Sequence, residues 1–268
     1  MQIEGAHRML DDARWRSLIE AVVSAGDAAR AQQRHHLQGV SNAESKNDAS
    51  PVTEADRATE RALRAAVSTL WPDAHLIGEE YGGEIHEKGL AFIIDPIDGT
   101  RAFIRDLPTW SVLVGVMLDG ELVGGIAYLP TDGDLFEARQ GRGATDNGRP
   151  CTLSTTATLD KSLVCVGGLR QFDGWEKELL AIKDASYTVR AFADFANYRE
   201  LLRGRVDAVV DPGLKLWDVA PAAVLVREAG GRVSDFAGGA SHHGNFVLSN
   251  GRVHDEMLRV LSGASKAP

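Results

Sequence analysis

The sequence predicts a strand-rich α/β protein, with an antiparallel first sheet and an α/β second half. Three observations carry that prediction. Residues 109–144 alternate apolar and polar side chains between the turn signals Asp119-Gly120 and Asp132-Gly133, the pattern of a meander. From about residue 162 onward, strand-like and helix-like segments take turns. Ahead of the meander stand two long stretches with helical periodicity.

Taken in order, residues 8–36 place Leu10, Leu18, Ile19, Val22, Val23 and Ala29 at helical spacing, which predicts a long amphipathic helix. The polar stretch 39–51 breaks that pattern and reads as loop or hairpin. A second helix is expected over 53–72, capped by Thr53 and stopped by Pro72. "HLIGEEYGG" is a short strand entering a glycine-rich loop, and "LAFIIDP" a buried strand. Beyond the meander we expect strands near 162–167, 187–191 and 206–210, and helices near 174–183, 195–204 and 218–229. Gly230-Gly231 stops the last of these. "NFVLSNG" closes as a strand and "VHDEMLRVLSG" as a helix. The polar stretch 144–160 is the expected boundary between an N-terminal α+β half (about 1–145) and a C-terminal α/β half (about 146–268).

Thirty-eight acids against 29 Lys plus Arg give a net charge of −9. That argues against a nucleic-acid binder, which needs a basic face, and suits a pocket that collects cations. No apolar run reaches the length of a membrane span, and the N-terminus lacks a signal pattern. The two cysteines, Cys151 and Cys165, sit among small or apolar neighbours and read as buried free thiols. A cytoplasmic location is the expectation.

The chemistry concentrates in "FIIDPIDGT", residues 92–100. An apolar run carries Asp95 to a strand end, and Asp98 follows three residues later. Two such carboxylates repel one another unless cations neutralise them. Alone, the pair reads equally as helix caps or solvated acids. The apolar run favours a ligand site, because open α/β sheets bind ligands at the carboxyl ends of their strands. Glu79 and Glu80 in "IGEEY", and Asp218 in "KLWDVAP", stand at similar junctions, with a solvated loop and an N-cap as their plainer readings. Carboxylate oxygens suit Mg²⁺ or a similar hard cation. The histidine pairs His35-His36 and His242-His243 lack zinc spacing and read as surface residues. Gly99 and Thr100 offer N–H groups for phosphate and a hydroxyl for water. Neither a P-loop nor a dinucleotide fingerprint is present, and no G-x-S-x-G elbow occurs.

"GEE" at 78–80, "DPIDGT" at 95–100, "WDVAP" at 217–221 and "EAGG" at 228–231 together resemble the inositol monophosphatase family of metal-dependent phosphatases. The resemblance runs from about Lys46 to the last helix. It implies a layered α/β/α/β/α sandwich, a single phosphatase unit over 1–268 with its active site between the halves, and a homodimer. It implies two or three Mg²⁺ ions held by Glu79, Asp95, the carbonyl of Ile97, Asp98 and Asp218. It also implies phosphate contacts from Gly99 and Thr100, a water-positioning pair in Thr100 and Asp56, a loop contact from Lys46, and lithium sensitivity. Glu80 is expected to support the site or to be solvated.

Within the family, "SPVTEADRATE", "GEEYGG" and Ala193-Asp194-Phe195 resemble the bacterial histidinol-phosphate phosphatase branch. Ala193 departs from the glycine of both branches. Arg190, Asp194, Asp211 and Asp218 are expected to meet a small phosphate monoester, with Asp194 and Asp211 able to pair with its cationic groups, although the resemblance implies that an acid at Asp211 serves a substrate hydroxyl equally well. Asp194 reads equally as a helix N-cap. Phe195 and Trp217 read as pocket or core residues. Inositol phosphate or another sugar phosphate is the alternative substrate. A bisphosphate substrate is disfavoured because no extra basic residues stand near the motifs. A non-catalytic binding or scaffold role is the remote alternative.

Overall fold

A computed structural model describes residues 9–36, 44–45, 51–240 and 243–264. Helix α1 (Asp12–His36) begins where Asp11 Oδ1 accepts from the N–H groups of Ala13 and Arg14, both at 3.0 Å. Strands β1 (Glu44–Ser45) and β2 (Pro51–Val52) pair antiparallel; the rest of the stretch 39–51 expected as loop or hairpin lies outside the described residues. Helix α2 (Glu54–Leu70) starts in the capping box expected at Thr53. Thr53 Oγ1 accepts from Ala55 N at 3.2 Å, while Asp56 Oδ2 accepts from Thr53 N at 2.8 Å.

A seven-stranded sheet follows, in sequential order: β3 (His75–Gly78), β4 (Leu90–Asp98), β5 (Ser111–Leu118), β6 (Glu121–Leu129), β7 (Asp134–Arg139), β8 (Ala144–Asp146) and β9 (Arg149–Pro150). Its β4-to-β9 pairs are antiparallel, as the alternation predicts. β3 and β4 are parallel, which corrects the expectation of an antiparallel first sheet. Parallel neighbours need a long return, and residues 79–89 provide it without a helix. β4 also runs past Pro96, because β3 ends opposite Ile94 and leaves no ladder on that side for a proline to break. The register shifts between Asp95 and Asp98. Helix α3 (Thr100–Phe103) follows at once.

The second sheet is mixed, with strands in the order β11 (Thr188–Arg190), β10 (Leu163–Val166), β12 (Ala208–Leu214), β14 (Gly244–Ser249) and β13 (Arg232–Asp235). Helices α4 (Glu176–Ala185), α5 (Asp194–Leu202), α6 (Leu216–Glu228) and α7 (His254–Ala264) complete the chain. β12 runs to Leu214, beyond the expected 210, and α6 starts at Leu216, so almost no loop separates them.

Three apolar cores fix the layers. One lies between α1, α2 and the first sheet, and includes Trp15, Leu63, Phe92 and Trp110. A central core joins both sheets through α5 and α6, with Ile93, Leu113, Phe195, Val209 and Leu225. The third, with Phe172, Val210, Val247 and Met257, lies between the second sheet and the pair α4–α7. The result is the α/β/α/β/α sandwich that the resemblance implied. In the middle layer α6 sits close against the first sheet. A Cβ at Gly125 would lie 2.6 Å from Pro221 O, and one at Gly115 would lie 2.7 Å from Ala220 Cβ. Arg203, the residue that ends α5, adds ion pairs to Asp134 at 2.7 Å and Asp146 at 2.6 Å on the first sheet. Both cysteines are free, Cys165 buried and Cys151 half-buried, and burial pushes each thiol up to about 12. No helix among the described residues is long and apolar enough to cross a membrane.

Candidate active site and metal centre

The parallel pairing of β3 and β4 brings their carboxyl ends side by side. Gly78 is the partner of Ile94, and Glu79 N donates to Ile94 O at 3.1 Å. Glu79 therefore emerges next to Asp95, close enough for their carboxyl groups to share a hydrogen bond. The register shift after Asp95 turns Asp98 toward the same space. Asp218 arrives from the other half on the first turn of α6, where its Oδ2 also accepts from Lys215 N at 2.7 Å. Asp218 is not the N-cap that its plainer reading expected: Lys215 is, and Asp218 stands three residues into the helix, its side chain reaching back to the cap's N–H. Ligand oxygens of Asp95, Asp98 and Asp218 all lie within 4.8 Å of one another.

This cluster is electrostatically unfavourable without a counter-charge. Burial raises the Asp95 carboxyl well above the usual range, and the charges of Glu79, Asp98 and Asp218 raise it further. Asp98 is raised by burial and then by Asp194 and Asp218, against hydrogen bonds from Phe195 N at 2.8 Å and Ser111 Oγ at 2.9 Å. Burial pushes Asp218 up to about 6. Asp95 Oδ1 is buried and meets no hydrogen-bond donor among the described residues. A donorless buried oxygen within an all-carboxylate set fits a hard cation. Glu79, Asp95, Asp98 and Asp218 could hold it, together with the Ile97 carbonyl. That carbonyl also lies 3.1 Å from the Thr100 hydroxyl.

Thr100 begins α3, its hydroxyl 3.2 Å from Asp56 Oδ1. Asp56 is fully buried, its carboxyl raised by burial and restrained by hydrogen bonds from Thr53. The Thr100–Asp56 pair expected from the sequence therefore exists, and Asp56 can accept the threonine's proton while the threonine oxygen orients a water. Gly99 and Thr100 both line a cavity of about 380 Å³ that also contains the four acids.

Asp194 and Asp211 line the same cavity. Burial pushes Asp194 up to about 6, against the charge of Arg101. Asp194 does not cap α5. The cap is Ala193, and the N–H of the second helical residue, Phe195, is taken by Asp98. Ala193 has φ 74° and ψ 150°, a region suited to glycine, and Asp194 follows at φ 49°. Asp211 Oδ2 accepts from Tyr198 OH at 2.8 Å, while its buried Oδ1 meets no donor among the described residues. Burial pushes this carboxyl up to about 7. Arg190 stands apart from the cavity, its guanidinium folded onto Thr188 Oγ1 and Val189 O, both at 2.8 Å. Trp217 lines the cavity, whereas Phe195 is core, packed against Phe136 and Tyr198. Lys46 and His242 lie outside the described residues, as do the side chains of His35 and His36; His243 is exposed.

Sequence reasoning missed Arg101 and Lys215. Both line the cavity, which corrects the view that no extra basic residues stand near the motifs. Each adjoins a motif, Arg101 directly after Thr100 and Lys215 two residues before Trp217. Ser111 was also missed. Its signal is cross-strand, since it stands opposite Asp98 in the β4–β5 ladder.

The pattern of the Inositol monophosphatase family matches residues 13–265. The chain belongs to that family. Among its relatives, the histidinol-phosphatase of Mycobacterium tuberculosis is 35% identical over 228 residues, covering 82% of this chain and 87% of that protein. The fructose-1,6-bisphosphatase/inositol-1-monophosphatase of Thermotoga maritima is 33% identical over 232 residues, covering 85% and 89%. The crystal structure of the extragenic suppressor protein suhB from Bartonella henselae superposes with a TM-score of 0.85 at 28% identity, covering 93% of this chain and 98% of that one. The protein is thus a phosphatase of the metal-dependent phosphomonoesterase type that acts on small phosphate monoesters.

Proposed function

We propose that the protein is a Mg²⁺-dependent phosphatase that converts L-histidinol phosphate to L-histidinol, a step of histidine biosynthesis. Glu79, Asp95, Asp98, Asp218 and the Ile97 carbonyl would hold the ions. Bound there, two or three Mg²⁺ would neutralise the phosphoryl oxygens, lower the pKa of a water and stabilise the departing alkoxide. Thr100 orients that water along the line of attack, and Asp56 accepts the threonine's proton. N–H groups of Gly99 and Thr100 receive phosphate oxygens. Lys46 is a candidate loop contact. No covalent enzyme intermediate is needed.

The choice of substrate rests on one observation: the cavity carries two acids, Asp194 and Asp211, beyond those clustered for metal. Histidinol phosphate brings a primary ammonium and an imidazole, whose N–H groups suit these carboxylates and the donorless Asp211 Oδ1. An uncharged cyclitol offers only hydroxyls. Several relatives named histidinol-phosphatase support the same choice. Phosphate release from histidinol phosphate, inositol 1-phosphate, fructose 1,6-bisphosphate and phosphoadenosine phosphate, each with and without Mg²⁺, tests it. Asp194→Asn should raise KM for histidinol phosphate more than for inositol 1-phosphate; equal effects would remove the reason for preferring the amine.

A bisphosphate sugar is the second reading. Arg101 and Lys215 in the cavity wall favour it, since each could meet a second phosphate. Fructose 1,6-bisphosphate turned over faster than histidinol phosphate would select it. We further infer one functional unit over 1–268 with the site between its halves, a homodimer, inhibition by lithium in competition with Mg²⁺, and a cytoplasmic location in keeping with the free thiols. Indifference to Mg²⁺ in every assay would favour a binding role over catalysis.

A further inference from the structure

Helix α2 carries Asp56, Glu60 and Arg64, four residues apart along one side. Asp56 serves Thr100. Glu60 has no role in the chemistry described so far, yet it is fully buried on a helix whose other buried residues include the apolar Ala55, Leu63 and Val67. A buried acid needs a reason, because desolvation disfavours it unless donors converge on it. Here three do. Glu60 Oε2 accepts from Glu80 N at 2.7 Å. Oε1 accepts from Tyr81 N at 3.3 Å and from Arg64 Nε at 2.7 Å. Arg64 reaches onward to Gly82 O.

These contacts lie on the two residues directly after Glu79. On the near side the backbone approaches just as closely. A Cβ on Gly78 would lie 1.9 Å from Glu60 Oε1, so only glycine leaves room for the carboxylate. Glu79 itself is tied to β4 through its N–H bond to Ile94 O. Its backbone is therefore held from β4 at one residue and from α2 at the next two.

We propose that Glu60 is a positioning residue. It fixes the Glu79 carboxylate against Asp95 and locks that turn to the helix that presents Asp56 to Thr100. A metal ligand and the water-positioning pair thereby share one rigid support. The carboxylate is required rather than any polar group. Two backbone N–H groups and a guanidinium all donate toward it, and a glutamine would turn its own NH₂ on one of them. The proposal rests on the reading that Glu79 holds Mg²⁺, and the test separates the two.

Mg²⁺ binding to the full chain is measured by calorimetry for wild type, Glu79→Gln, Glu60→Gln and the double variant. Glu60→Gln should bind Mg²⁺ roughly tenfold or more weakly, as expected when a residue behind a metal ligand is altered. Its kcat should recover at saturating Mg²⁺, with KM for substrate little changed. Added to Glu79→Gln, it should weaken binding little further, because it acts through Glu79. Unchanged Mg²⁺ affinity in Glu60→Gln while Glu79→Gln loses affinity would overturn the positioning role and leave a merely structural brace. Unchanged affinity in Glu79→Gln would overturn the metal assignment beneath it. Should Glu60→Gln not fold, Arg64→Met loosens the same carboxylate from its more exposed side. It should also weaken Mg²⁺ binding, and unchanged affinity there would overturn the proposal.

Discussion

Two buried polar clusters in this molecule are built on opposite terms. Under α7, the His254 ring is fully buried between two serines. Ser234 Oγ donates to Asp235 O at 2.8 Å, so it accepts from His254 Nε2 at 2.9 Å. Ser249 Oγ accepts from Gly251 N at 3.1 Å, so its hydroxyl donates to His254 Nδ1 at 2.9 Å. Every donor meets an acceptor, and the ring is neutral with its proton on Nε2. Burial, helped by the charge of Arg232, lowers this histidine to about 4. In the acid cluster acceptors outnumber donors, Asp95 Oδ1 and Asp211 Oδ1 meet none among the described residues, and the carboxyls of Asp95, Asp98, Asp211 and Asp218 are all raised. The contrast separates buried polar groups that complete the fold from those that await a ligand. The first kind closes its own hydrogen bonds; the second leaves them open in one sense.

That contrast can be broken by substitution, starting with the largest effect. Asp98→Asn should reduce phosphate release by roughly a thousandfold while leaving circular dichroism unchanged, because it removes a metal oxygen but also relieves repulsion. A near-normal rate would remove Asp98 from the metal site. His254→Ala should do the reverse, leaving kcat alone and lowering stability by about 3 kcal/mol through a cavity and two stranded hydroxyls. Denaturant unfolding and phosphate release read the pair together, and a large loss of rate in His254→Ala would erase the distinction.

Mg²⁺ should stabilise the protein by about 2.7 kcal/mol at a hundred times its Kd. The effect should grow between pH 5 and 8. Without metal, Asp194, Asp211 and Asp218 have folded pKa values raised above their unfolded ones, so their stabilising share is full at low pH and is lost as pH rises through about 6 to 7. His254 opposes them. Its folded value is depressed, so it costs stability as pH falls from about 6.5 toward 4. Thermal scans across pH for wild type and Asp98→Asn, with and without Mg²⁺, sharpen this; a metal effect independent of pH would contradict it. The smallest expected effect is that of Ala193→Gly, which relieves a backbone conformation costing roughly 1 kcal/mol and should raise the unfolding midpoint slightly. A lower midpoint would show that the strain is not there.

Much of this was legible in the chain. Thr53 announced the start of α2, and the alternation of 109–144 announced the meander, because both signals are local. Asp95, Asp98 and Asp218 were legible as junction acids, although their convergence came from resemblance rather than spacing. The parallel β3–β4 pair was not legible, since a short strand carries no mark of its neighbour's direction. Glu60 left a faint signal, an acid within the apolar stripe of α2, but its partners are backbone N–H groups of a turn about twenty residues away. Arg101 and Lys215 carry no mark in the sequence beyond adjoining a motif, and only the folded cavity wall gives them a role.

Helix α6 touches both sheets, with Pro221 seated on Gly125 and Asp218 one turn earlier. It works as a spacer bar whose thickness sets how far the two ends of the cage stand apart. A single methyl group at Gly125, a residue that does not face the cavity, would wedge that bar outward and carry Asp218 away from Asp95. The spacing of the carboxylates that could hold a metal is therefore set partly in the middle of a sheet, at a glycine with no chemistry of its own.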